Sequence, residues 1–293
     1  MRKILYLTDS HIGADTTAWC QQPCCPHLLP DLWNDLREFV AANPLDLVLH
    51  GGDLTHHGTV DEQREAVRIA VGLGVPFRLC LGNHDLAREG ALESWLSLGH
   101  ELFGERSTPS GDFAVDLGSA ILLVATNTWR DSDQPWFWSL EEALSGPVLA
   151  DRQYMWLKEQ LAAHRNKPAI LAMHETLYPL PPRLTGLEQP THEPSGFDVA
   201  RTRGFVEEHD QIRLVLSGHC HATCRTYDNG CVHLTTGAFF EPPFQVRILT
   251  VDRNGIDVET VCPSAVAKYN PPIDEGKTWT SGQPVDRRVR MNF

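Results

Sequence analysis

The chain has 293 residues, enough for one large α/β domain or two small ones with an ample core. Its formal net charge of −13 excludes an extended nucleic-acid surface, which needs stripes of Lys and Arg. A small anionic phosphate ester remains possible if bound metal ions reverse the charge locally.

No stretch approaches the length of a membrane span, so no membrane partner is expected. The apolar run Ile4 to Leu7 is too short for a secretory leader, and an acid follows at once. We therefore expect a cytoplasmic protein whose eight cysteines are reduced thiols, several of them buried.

In chain order, six short apolar runs read as strands buried on both faces: KILYLTD, DLVLHGGD, VPFRLCLGNHD, AILLVATN, PAILAMHE and IRLVLSGH. Each breaks into a polar or glycine-containing loop. Helical stripes lie between several of them: Leu32, Leu36, Phe39 and Val40; then Ala66, Val67, Ala70 and Val71; then Tyr154, Leu157 and Leu161. Strand alternating with helix argues for sheets flanked by helices. After His221, ATCRTYDNGCVHLTT and PFQVRILTVDRNGIDVETV read as β-hairpins turning at Asn229-Gly230 and Asn254-Gly255. Three segments fit no regular element: the Cys- and Pro-containing loop Gly13 to Pro30, the proline-rich stretch Glu175 to Gly196, and the tail Pro263 to Phe293. With no repeat and no linker, residues 1–293 read as a single domain. Residues 263–293 read as an irregular extension packed on the body or on a partner subunit, which leaves a homo-oligomer open.

The strand ends carry the chemistry. LTDSHIG supplies Asp9 and His11, GGDLT supplies Asp53, GNHD supplies Asn83, His84 and Asp85, AMHE supplies His174, and SGHCH supplies His219 and His221. In open α/β sheets the C-terminal strand ends open into one ligand-binding crevice. Strand alternation predicts that Asp9 and His11 point together, as do His219 and His221. One Asp after a strand is ordinarily a turn or cap residue, and one His a structural hydrogen-bonder. The coincidence of five such stretches in order is what argues for a site. The donors are rich in O and N and too many for one tetrahedral ion, unlike a closed, thiolate-rich structural zinc site. They suit two ions such as Fe, Mn, Zn or Co. Cys220 then faces away into packing, and Cys224 packs in the hairpin.

The ordered set D-x-H, G-G-D, G-N-H-D, H and G-H-x-H, from Asp9 to His221, resembles the signature of calcineurin-like metallophosphoesterases. GDLTHHG and GPVLADRQYMWL, with Gln153, Trp156 and Leu157, are similar to the class III cyclic-nucleotide phosphodiesterase branch, which includes glycerophosphodiesterases. The resemblance implies a four-layer αββα sandwich of two mixed β-sheets flanked by helices, with a dinuclear metal site at the strand C-terminal ends. It implies that Asp9, His11, Asp53 and His221 bind one metal, and that Asp53, Asn83, His174 and His219 bind the other, with Asp53 bridging. The implied reaction is hydrolysis of a small phosphodiester, a cyclic nucleotide or glycerophosphodiester, by a metal-bridging hydroxide. His84, steered by Asp85, is the expected proton donor to the leaving group, the alternative being that it only orients the metal ligands. Asn127 and Glu175 depart from the Asp and His that the branch often has there, and CQQPCCPH is not a family feature.

Other residues are open to two readings. His56 and His57 follow Asp53 closely and are either substrate-facing, with Asn83, or solvated loop residues. His192 is a surface residue unless the proline-rich stretch caps the site. Adjacent cysteines serve one tetrahedral ion poorly, so Cys20, Cys24, Cys25 and His27 are not read as a zinc site. Trp129, Trp136, Phe137 and Trp138 form an aromatic patch suited to packing, or to stacking on a base. The competing functions are a phosphomonoesterase or pyrophosphatase on nucleotide or lipid-linked substrates, and a non-catalytic scaffold on the same fold. The filled donor set counts against the scaffold.

Overall fold

The structure, a computed structural model, describes residues 1–104, 107–126, 149–194 and 197–293, with the backbone alone for residues 197 and 198. Asn127 and the aromatic patch of Trp129, Trp136, Phe137 and Trp138 lie outside the described residues, as do residues 146–148.

Two mixed six-stranded sheets form the centre. Their strands are β1 (Arg2–Leu7), β2 (Leu47–His50), β3 (Phe77–Leu79), β4 (Phe113–Asp116), β5 (Ile121–Val124), β6 (Ala169–Ala172), β7 (Ile212–Ser217), β8 (Cys224–Asp228), β9 (Cys231–Thr235), β10 (Val246–Asp252), β11 (Gly255–Val261) and β12 (Arg288–Asn292). The first sheet runs β12-β11-β10-β1-β2-β3 and the second β4-β5-β6-β7-β9-β8. The six strands expected from the apolar runs are β1, β2, β3, β5, β6 and β7. Within each sheet they pair in parallel, so their C-terminal ends share one edge.

Side-chain alternation explains the layers. Leu122, Val124, Ile170, Ala172, Leu214, Leu216, Val232 and Leu234 belong to the same core as Ile4 to Leu7 of β1, so one face of the second sheet packs on the first. Their neighbours Ile121, Leu123, Ala169, Leu171 and Val215 instead pack with Tyr154, Leu157 and Leu161 of helix Asp151–Ala163 and with Phe205 and Val206 of helix Phe197–Glu208. Helices Leu29–Ala42 and Val60–Gly72 bury Leu32, Leu36, Ala66 and Ala70 in the core of the first sheet. The second of these starts at a capping box: Thr59 Oγ1 accepts from Glu62 N–H at 3.2 Å, and Glu62 accepts from Thr59 N–H at 3.0 Å.

Arg247 of β10 joins the two sheets. It is wholly buried and donates to Thr236 Oγ1 (2.9 Å), Thr260 Oγ1 (3.0 Å), the Asp286 carbonyl (3.0 Å) and the Thr235 carbonyl (2.6 Å). Burial lowers its pKa to about 10, and this net of acceptors is what makes a charge tolerable there.

In the C-terminal half one expectation holds and two change. The β8–β9 hairpin does turn at Asn229-Gly230, both with positive φ (45° and 83°), as a two-residue primed turn requires. The second hairpin turns one residue earlier than expected, at Arg253-Asn254, because Asp252 pairs with Gly255. Gly255 is needed for close approach: a Cβ there would collide with the Met291 carbonyl oxygen of β12. The tail is not irregular throughout. It holds short helical turns, Val266–Tyr269 and Pro284–Arg287, and ends in β12, which extends the first sheet. The strand is five residues long, with Val289 buried and Arg288 and Arg290 outward opposite Glu259 and Asp257. A charged outer face is how a sheet edge avoids further pairing, and it hides the strand from a search for apolar runs. The other missed strand, β4, is a four-residue antiparallel edge.

Candidate metal centre

The loops that follow β1, β2, β3, β6 and β7 meet at the shared edge. Asp9 N–H donates to the Gly52 carbonyl (2.9 Å), His11 N–H to the Asp53 carbonyl (3.0 Å), and Gly218 N–H to the His174 carbonyl (2.9 Å). Strand alternation is not what aligns Asp9 with His11 or His219 with His221, because β1 ends at Leu7 and β7 at Ser217. Instead Asp9, His11, Asp53, His219 and His221 all take left-handed backbone angles, with φ of 54°, 47°, 53°, 67° and 51°. Non-glycine residues pay about 1–3 kcal/mol for such conformations, which persist where the surroundings over-determine them. Two glycines make room: a Cβ on Gly52 would meet the His174 ring, and one on Gly218 the Asp9 carboxylate.

Three groups of side chains result among the described residues, the third being His11, His56 and His84, whose donor atoms also lie within 4.8 Å of one another. In the first, donor atoms of Asp9, His11 and His221 lie within 4.8 Å of one another; in the second, those of Asp53, His174 and His219 do. His221 Nε2 is 3.3 Å from Asp9 Oδ1 and 3.4 Å from His11 Nε2. His174 Nε2 is 3.0 Å from Asp53 Oδ2, and His11 Nε2 is 3.9 Å from the same oxygen, so Asp53 Oδ2 stands between the groups. The other Asp53 oxygen accepts from His84 N–H at 2.8 Å. Asn83 Oδ1 meets His219 Nδ1 at 3.1 Å. All seven expected ligands are thus together.

The far side of each ring tests the fit to cations. His174 Nδ1 donates to the Gly51 carbonyl (2.9 Å) and His221 Nδ1 is paired with Glu241, which leaves each Nε2 as the atom turned to a carboxylate. Imidazole nitrogens and carboxylate oxygens converging at these distances suit borderline cations. The electrostatics agree. Burial disfavours charge on His174, yet Asp53 and Asp9 raise its pKa to about 10. Burial likewise opposes charge on His221, and Glu241 and Asp9 raise it to about 10. The same carboxylates would attract metal cations, which displace those protons when they bind. For His219, burial, then the charge of His174, outweigh the pull of Asp53 and Asp9 and lower the pKa to about 4.

The hydrogen bonds described for the Asp85 side chain run to Leu54, Thr55 and Gly82 and not to the His84 ring. The carboxylate is buried and accepts from Thr55 N–H (2.8 Å), Thr55 Oγ1 (2.8 Å), Gly82 N–H (3.0 Å) and Leu54 N–H (3.3 Å), so it locks the Asp53 and Asn83 loops together. Burial, aided by the charge of Asp53, raises it to about 6. The His84 ring is set by the His56 carbonyl, which accepts from Nδ1 at 2.8 Å. His56 also stacks on His84 with centroids 4.7 Å apart and meets His11 Nδ1 at 3.1 Å. His57 turns the other way: its Nδ1 lies 2.8 Å from Glu62 Oε1 at the helix cap, and its side chain is half exposed. Of that pair, His56 is at the centre and His57 is a loop residue.

Sequence reasoning missed Glu241. Its carboxylate pairs with His221 and accepts the backbone N–H groups of Gln21 (3.1 Å) and Gln22 (2.7 Å). The one available signal was an acid inside the apolar run GAFFEPPF. Partners behind a metal-binding His are worth about 10–100-fold in metal affinity. Glu241→Gln is therefore expected to weaken metal retention by roughly that factor, read by titrating the metal against a competing chelator. Glu175 stands beside His174, and burial with the charge of Asp53 raises it to about 7. Cys220 and Cys224 pack with Leu180, Leu184 and Ala222, away from the centre as expected, and no cysteine joins either group among the described residues.

Fold and site together define an α/β protein with adjoining metal-competent clusters at its strand ends. The model of the calcineurin-like phosphoesterase family matches residues 2–223, and the chain belongs to that family. A curated relative, the probable glycerophosphodiester phosphodiesterase GpdQ of Arcobacter nitrofigilis, is 24% identical over 69% of this chain, which spans 65% of that relative's length. Solved structures with the same fold include a dimetal phosphatase from Danio rerio (TM-score 0.67, 14% identity, 90% of this chain and 97% of that one). Another is GAP50, described as the anchor in the inner membrane complex of Plasmodium (TM-score 0.60, 13% identity, 99% of this chain and 88% of that one). At these identities the structural likeness speaks for fold alone. Among the described residues no helix is long and apolar enough to cross a membrane.

Proposed function

We propose that the chain is a two-metal phosphodiesterase acting on small diesters such as glycerophosphodiesters or cyclic nucleotides. The observation that carries the metal-dependent part is the placement of Asp53 Oδ2 between the Asp9/His11/His221 and Asp53/His174/His219 groups. Fe, Mn, Zn or Co would be held by Asp9, His11, Asp53 and His221 on one side, and by Asp53, Asn83, His174 and His219 on the other. Two such cations, when bound, supply positive charge against phosphate oxygens and acidify a water. The chain's own residues hold and order the rest. Asp85 fixes the loops, Glu241 and the Gly51 carbonyl fix two ring tautomers, and because His84 Nδ1 donates to the His56 carbonyl, Nε2 is the ring nitrogen through which His84 would exchange a proton with the leaving group. His84 is the group that protonates the leaving alkoxide, and Asn83 and His56 face the phosphate.

The preference for diesters is supported by the resemblance of GDLTHHG and QYMWL and by the name of the GpdQ relative. Fold by itself separates neither enzyme from anchor nor one ester from another, as the GAP50 likeness illustrates. With matched metal loading, the protein is expected to hydrolyse bis(p-nitrophenyl) phosphate faster than p-nitrophenyl phosphate. A strong preference for the monoester would replace this reading with a phosphomonoesterase.

A further inference from the structure

The three segments without periodicity in the sequence come together on one side of the Asp9/His11/His221 group. Gln22 of the first loop exchanges two hydrogen bonds with the backbone of Asp274 in the tail, at 3.0 and 2.9 Å. Gln21 Nε2 lies 2.6 Å from His192 Nε2 of the proline-rich stretch, which places His192 beside the centre and not out on the surface. Gln283 of the tail donates to the Arg183 carbonyl of that same stretch at 2.7 Å. The backbone of Gln21 and Gln22 rests on Glu241, the carboxylate that holds His221. Glutamine side chains and one glutamate thus join three loops into a wall beside a metal-ligand ring.

Trp19 stands at the front of this wall. Its ring is 5.0 Å from that of His221, tilted at 57°, and 5.4 Å from that of His192, edge-on at 66°. It remains 57% exposed, whereas Trp33 and Trp95 in the core are 5% and 0% exposed. An indole braced by two imidazoles, with most of its surface open, offers a flat apolar face to whatever lies over the centre. We infer that Trp19, braced by His192, receives the organic group of the ester and selects alcohols that carry a flat ring, of which a nucleoside is the biological form, over glycerol or a simple alkyl group. Glycerol has no face to lay on an indole, so the wall separates two substrates whose phosphate chemistry is the same. The inference rests on the phosphoesterase reading and not on the choice between mono- and diesters.

The test uses the full-length, metal-loaded protein and two probe pairs: methyl and 2-naphthyl esters of phosphate as both mono- and diesters, and methyl phosphate against adenosine monophosphate as ligands in calorimetry. The wild type is expected to favour the ring-bearing member of each pair. Trp19→Ala should lower that preference by about tenfold, the scale of one aromatic contact, chiefly through KM and through the dissociation constant. Trp19→Phe should keep most of it, with metal content unchanged in both variants. A wild type indifferent to the ring overturns the inference. So does a Trp19→Ala variant that loses metal and slows equally on both esters, since Trp19 would then merely support His221. Calorimetry needs no turnover, so a chain that prefers monoesters, or hydrolyses neither series, still answers for Trp19.

Discussion

Asp53→Asn is expected to lose both metal ions and hydrolytic activity together. One oxygen of Asp53 stands between His174 Nε2 (3.0 Å) and His11 Nε2 (3.9 Å), while the other accepts from the His84 backbone at 2.8 Å. An amide in its place removes a full charge from the point where two cations would meet. It also offers one oxygen to two roles. Residues one step behind a ligand already cost about 10–100-fold in metal affinity, so a shared ligand should cost more than ~100-fold. Metal analysis of protein purified without chelator is the direct measurement. Wild type approaching two ions per chain and Asp53→Asn approaching none is the expected pair of results. A variant that keeps both ions and full rate would remove Asp53 from the centre.

His84→Ala is expected to show the second-largest effect, and one that depends on the leaving group. A methyl or glycerol oxygen leaves as a strongly basic alkoxide and needs a proton, so losing the donor should slow it by about 10²–10⁴-fold, the usual worth of general acid catalysis. A p-nitrophenolate leaves without one, and the same variant should lose far less on that substrate. Metal content should barely change, because the ligand expected from this loop is Asn83, and because the contact between His84 and Asp53 is made by the backbone N–H, which alanine keeps. Equal losses on both esters, with metal lost as well, would make His84 a support for the metal site and end its assignment as a proton donor.

Much of the site was legible in the sequence because donors that follow strands can be placed without knowing the packing. Once KILYL, LVLH, FRL, AILA and IRLVLS are read as parallel strands, Asp9, His11, Asp53, Asn83, His174, His219 and His221 must gather at one edge. Apolar period and strand-end chemistry are local properties, and local properties survive in a string of letters. The reason the donors point together was not legible, since it lies in left-handed backbone angles that the D-x-H and H-x-H spacings do not encode. The edge strands β4 and β12 were missed because one exposed face dilutes their apolar content.

What only the tertiary structure decided are contacts between residues far apart in the chain. Glu241 reaches His221 from 20 positions away and Gln22 meets Asp274 from 252 away. The His56 carbonyl, 28 positions from His84, takes the place that the adjacent Asp85 was expected to fill. His192 looks like a surface residue until the loop that carries it is folded against the centre, where its ring meets that of Trp19. The sequence determined which donors gather at the shared sheet edge, because strand ends bring them there whatever the loops do. The loops decided what braces those donors and what stands over them, because their conformations are held by a few long-range hydrogen bonds and follow no period.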